Sequence, residues 1–108
     1  MIKITFNRHN NDIKAIYASG HAGYEMNQNG HDLVCCAVSA LLINTVNSIE
    51  SLTDDLISSE EQDGLLIAVI KDNPKEGTKL LIDSLILGLD GIAKQYGNKY
   101  LTVDYKEV

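Results

Sequence analysis

Cationic side chains are scarce in this chain. Nine Lys and Arg stand against fifteen Asp and Glu over 108 residues, a formal net charge of -6. That balance excludes a phosphate-neutralising surface, so no direct contact with nucleic acid is expected. It suits attraction of a basic polypeptide; the plain alternative is that the charge only keeps the protein in solution. Cysteine occurs twice, at Cys35 and Cys36. Neighbours in sequence are a poor pair for an internal staple, which excludes a disulfide framework. There is one proline, no internal repeat, no low-complexity tract and no interior linker. With 44% hydrophobic and 22% charged residues the composition is that of a folded protein, not a disordered one. The length fits a single domain, residues 1–108.

Long hydrophobic runs are lacking as well. The longest uncharged stretch, Leu33 to Ile49, contains Asn, Ser and Thr, and is expected to fall short of a membrane span. The N-terminal Met1-Ile-Lys-Ile-Thr-Phe6 alternates like a strand and has no basic region followed by an apolar core. No signal peptide is therefore read, and the expected location is cytoplasmic with no membrane contact.

Periodicity organises the rest. Ile2, Ile4 and Phe6 alternate with Lys3 and Thr5, which predicts a half-buried strand. His9-Asn-Asn-Asp12 is turn-like, and Ile13 to Ala18 predicts a second strand, making a hairpin. Asp32 is a good helix N-cap. Val38, Leu41, Leu42, Thr45, Val46 and Ile49 follow at helical spacing, predicting a helix that ends near Glu50. Leu65 to Val69 reads as a strand, and Pro74 fits the start of a second helix. Thr78, Leu81, Ile82, Leu85, Leu89, Ile92 and Tyr96 form that helix's stripe, and Tyr100 to Tyr105 alternates again. The order β-β-α-β-α-β predicts an α/β protein of the α+β type, a four-stranded sheet with two helices packed on one face. On the second helix Leu80, Ser84, Leu87 and Gly91 form an additional row. It reads either as a wide core face or as the contact of a symmetric homodimer.

Chemistry concentrates between the hairpin and the first helix. His21 follows a strand end, and Cys35 falls in the first helical turn, where the positive end of the helix dipole favours thiolate. A histidine beside such a thiol can act as general base or imidazolium partner. Read alone, Cys35 is first a small buried hydrophobe, the usual fate of a free cysteine, and a nucleophile second. Cys36 reads as packing. His31 is the rival base, but it directly precedes the cap and should point to solvent; His9 lies in a turn. The loop from Ala22 to His31 carries Gly23 and Gly30 and follows Gly20. With few apolar anchors it is expected to be mobile when free and ordered by a bound peptide, although the same glycines fit plain turn chemistry.

Gly20-His21-Ala22, then Gly30-His31-Asp32-Leu33-Val34-Cys35, a small residue, and Ser39-Ala40 resemble the signature of the ribosomal-processing cysteine proteases. That signature is a Gly-His dipeptide followed by Gly-x-Asp-[Ile/Leu]-Val-Cys-Ala. Chain length, element order and Val46-Asn47 agree with it, and Cys36, where alanine is common, is the one departure. The resemblance implies a small bacterial α/β homodimer without a cofactor. It further implies removal of a short N-terminal extension from the twenty-seventh protein of the large ribosomal subunit. The family's nucleophile falls on Cys35 and its histidine on His21. In the acyl transfer implied, backbone N–H groups near Cys35 and Cys36 could meet the oxyanion. Asp32 either caps the helix or orients His21.

Two other classes compete. A structural zinc site would draw on His21, His31, Cys35 and Cys36, but adjacent cysteines are poor tetrahedral ligands and the Cys-x-x-Cys spacing is absent, so no metal is expected. A non-catalytic, ribosome-associated binding module would use the same groove without chemistry.

Overall fold

The computed structural model describes residues 1–23 and 32–108. The chain runs β1 (Ile2–His9), β2 (Asp12–Ser19), α1 (Leu33–Leu52), β3 (Ile57–Gln62), β4 (Leu65–Ile70), α2 (Glu76–Tyr96) and β5 (Leu101–Glu107). The sheet has five strands in the order β3-β4-β2-β1-β5, with β1 and β5 parallel and the other neighbours antiparallel.

Alternation decides which side is core. Ile4 and Phe6 on β1 pair across from Ala18 and Ile16 on β2, and Leu66 and Ala68 continue the row on β4. All are buried, together with Val34, Val38, Leu42, Val46 and Ile49 of α1 and Ile82, Leu85 and Leu89 of α2. Both helices therefore cover one face of the sheet. The β1–β2 turn places Asn10 and Asn11 at φ 51° and 69°, the left-handed region asparagine tolerates.

The sheet has five strands, not the four expected. The missed strand, β3, reads Ile-Ser-Ser-Glu-Glu-Gln, and all but Ile57 are exposed. It shows no apolar alternation because it is an edge strand held by backbone pairing to β4. Charge on such an edge also discourages pairing with another chain. The signal that could have found it is Asp63-Gly64, a two-residue hairpin turn with Gly64 at φ 73°.

Helix α1 extends two residues past Glu50 to Leu52. Its 20 residues do reach the length and mean hydropathy of a membrane-crossing helix, contrary to the reading of Leu33 to Ile49. The burial of its apolar stripe in the core accounts for that composition. Its polar members are accommodated locally, as Thr45 Oγ1 donates to Leu41 O at 2.7 Å.

α1 and α2 meet closely at Gly88, where a Cβ would lie 2.9 Å from Leu41 Cδ1. The row Leu80, Ser84, Leu87 and Gly91 is not core face. Leu80 and Leu87 are 70% and 76% exposed, and nothing lies within 4 Å of a Cβ at Gly91.

Pro74 lies just ahead of α2 and does not begin it; the N-cap is Lys75, which has no side-chain cap bond. Asp55 supplies the acceptor instead. Its Oδ2 takes the Lys75 N–H at 2.8 Å. The Thr78 hydroxyl, and after it that N–H, hold the Asp55 carboxyl below the usual carboxylate range. A carboxyl whose folded value is depressed stabilises the fold above its unfolded value and loses that contribution as pH falls through the folded one. Asp55→Ala should therefore cost about 1–2 kcal/mol at neutral pH. The gap to wild type should close as the pH drops below 3.8. Thermal melts of both proteins along a pH series check this.

Candidate active site

The end of β2 and the start of α1 are brought together by backbone constraints on each side. Gly20 follows β2 at φ 93°, and a Cβ there would come 2.3 Å from Met1 O, so a side chain is excluded at this crossing. Its N–H donates to Gly64 O at 2.9 Å, tying the strand end to the β3–β4 turn. His21 comes next. Its carbonyl accepts from Met1 N at 2.6 Å, which anchors the backbone and leaves the imidazole directed outward, 63% exposed. The ring lies against Gly64, where a Cβ would be 3.0 Å from Nε2.

On the helix side Asp32 is the N-cap. Its Oδ1 accepts from Cys35 N and its backbone O from Cys36 N, each at 3.0 Å. That fixes the helical phase. Val34 and Val38 enter the core, Cys35 is half-buried, and Cys36 is exposed. The two segments meet where Ala22 N–H donates to Cys35 Sγ at 3.1 Å. His21, Cys35, Cys36 and Asp63 line one cavity of about 610 Å³, floored by apolar residues including Ile2 and Leu42.

Two expectations are corrected. The first concerns the thiol. Its place in the first helical turn favours thiolate, yet the group is pushed above its usual value. Burial is the largest cause and outweighs the Ala22 N–H, which favours thiolate; the Asp32 carboxylate adds to the rise. The second concerns the oxyanion. The amides of Cys35 and Cys36 already donate to Asp32, so neither is open to a substrate oxygen in this structure.

Gly30, His31 and most of the Ala22–His31 loop lie outside the described residues. Gly23 has positive φ, 73°, with nothing within 4 Å of a Cβ. His9 is remote, its Nδ1 2.8 Å from Val108 O. Among the described residues no three His, Cys, Asp or Glu side chains are grouped to hold a metal.

A cysteine at a capped helix start and a histidine lining the same cavity are the parts that a cysteine hydrolase needs. Comparison with known proteins names the family. The chain belongs to the family described as Cysteine protease Prp, matched over residues 1–101. It is 27% identical over 96 residues to the ribosomal processing cysteine protease Prp of Staphylococcus aureus, covering 87% of this chain and 88% of that one. The Bacillus subtilis protein of the same name is 28% identical over 103 residues, covering 89% and 90%. A crystal structure of the S. aureus protease with a covalently linked product peptide superposes with a TM-score of 0.87 at 26% identity, covering 98% and 100%. A Streptococcus mutans crystal structure matches at TM-score 0.80 and 30% identity, covering 100% and 96%. The protein is a cysteine protease, with the α+β fold of these structures.

Asn caps a helix about as well as Asp but carries no charge. Asp32→Asn should leave stability within about 0.5 kcal/mol of wild type. It should also move the pH profile of Cys35 alkylation by iodoacetamide to lower pH, because the carboxylate that raises the thiol is gone. An unmoved profile would show that burial alone sets the thiol.

Proposed function

We propose that this protease removes a short N-terminal extension from a large-subunit ribosomal protein, with Cys35 as nucleophile and His21 as general base. The observation that carries the assignment is the 3.1 Å contact from Ala22 N–H to Cys35 Sγ. It holds the thiol against the residue that follows His21, with both side chains in one cavity.

Burial raises the thiol, so its proton has to leave in the course of the attack. His21 takes the proton as Sγ attacks the scissile carbonyl carbon, and returns it to the leaving amine when the C–N bond breaks. Water, deprotonated by the same imidazole, then hydrolyses the thioester and releases the thiol. Asp32 serves as cap, and Cys36 borders the cavity without entering the chemistry. No step calls for a cofactor.

The substrate class rests on two supports. The S. aureus and B. subtilis relatives are described as ribosomal processing proteases. The net charge of -6 suits a basic ribosomal protein. The place of action is the cytoplasm, where ribosomal proteins are made. The working unit is a homodimer of single-domain chains, paired through the exposed row of Leu80 and Leu87, where Ser84 and Gly91 permit close approach.

Incubation with the large-subunit ribosomal proteins of the same cell, followed by intact-mass analysis, tests the activity. A single shortened product is expected. Cys35→Ala should abolish it and Cys36→Ala should keep most of it. His21→Ala should lower turnover by about a hundred- to ten-thousand-fold, and His31→Ala far less. A Cys35→Ala protein that still performs its cellular role would mark a binding module in place of an enzyme.

A further inference from the structure

The β3–β4 turn does more than join two strands. Asp63 Oδ1 lies 3.7 Å from His21 Nε2, and Gly64 forms the surface against which the imidazole rests. The same turn is locked to the base's own backbone by the bond from Gly20 N to Gly64 O, one residue ahead of His21. Ring, carboxylate and glycine are thus carried by one small unit at the cavity wall. The Asp63 side chain is 97% exposed, so packing does not explain its place. Asp63 belongs to the two-residue turn of the β3–β4 hairpin, and its carboxylate is directed to the His21 side of it.

We propose that Asp63 is a positioning residue for the protease reaction. Its carboxylate faces Nε2 and holds the imidazole over Gly64, leaving Nδ1 as the nitrogen that serves Cys35. This rests on the assignment of His21 as base. When Nδ1 takes the thiol proton, the imidazolium carries its second N–H toward the Asp63 carboxylate. When Nδ1 returns that proton to the leaving amine, the ring is neutral again. Asp63 stays ionised throughout and exchanges no proton. The stabilisation acts on the charged stage of the cycle, so it appears in turnover more than in substrate binding.

An exposed ion pair of this kind is modest in strength, so Asp63→Ser should lower kcat about 2- to 5-fold at low ionic strength with little change in KM. Serine keeps a small turn-forming side chain without charge. Asp63→Glu should recover most of the loss. Raising salt to about 1 M, where screening acts within about 3 Å, should bring wild type and Asp63→Ser together. Melting temperatures of the three proteins should agree, since the side chain is exposed.

Equal kcat for wild type and Asp63→Ser at low salt would overturn the proposal. So would a loss confined to KM, which would make Asp63 a substrate contact, or a loss that glutamate does not recover. Should wild type cleave no ribosomal protein, the substrate reading fails by itself. The rate of Cys35 alkylation by iodoacetamide, site-resolved by fragment mass, then decides alone. Slowing in Asp63→Ser with recovery in Asp63→Glu supports the positioning role, and an unchanged rate rejects it.

Discussion

The site depends first on the N-cap of α1. Asp32 engages the amides of both Cys35 and Cys36, so it sets where the helix begins and with what phase. One residue of slippage would rotate the first turn by about 100°. It would carry Cys35 off the cavity and pull Val34 and Val38 out of the core. The apolar stripe and the cap agree on a single register, and that agreement puts a thiol at the rim of the core.

That position creates an electrostatic conflict. A helix start favours a thiolate, whereas a half-buried site beside a carboxylate opposes it. Burial wins here, and the thiol is raised despite the Ala22 N–H that points at it. A thiol raised in this way is less open to indiscriminate alkylation and oxidation. Such a thiol needs a base beside it before it can attack a carbonyl.

Placement of His21 falls to a part of the sheet with almost no hydrophobic content. β3 contributes little to the core, yet its turn with β4 supports the His21 ring and receives the Gly20 N–H. The N-terminal segment does the same from the other side, through Met1. His21 is thus set by backbone contacts from two distant stretches of chain, and its side chain is left open to the cavity.

Much of this was legible along the chain because it is local. The Ile2-Ile4-Phe6 alternation, the Asn10-Asn11 turn, the Asp32 cap and the stripe from Val38 to Ile49 each depend on neighbours within a few residues. The His21 and Cys35 motif was legible for the same reason, as a short string of residue types. β3 escaped because an edge strand needs no apolar side chains when its partner's backbone holds it. Tertiary structure alone decided the rest. It turned Asp55 into the cap of a helix twenty residues away, raised the thiol, and brought Asp63 and Gly64 to His21. The physical reason is range. Desolvation and contacts between remote segments exist only once the sheet has closed, and no local pattern of residues encodes them.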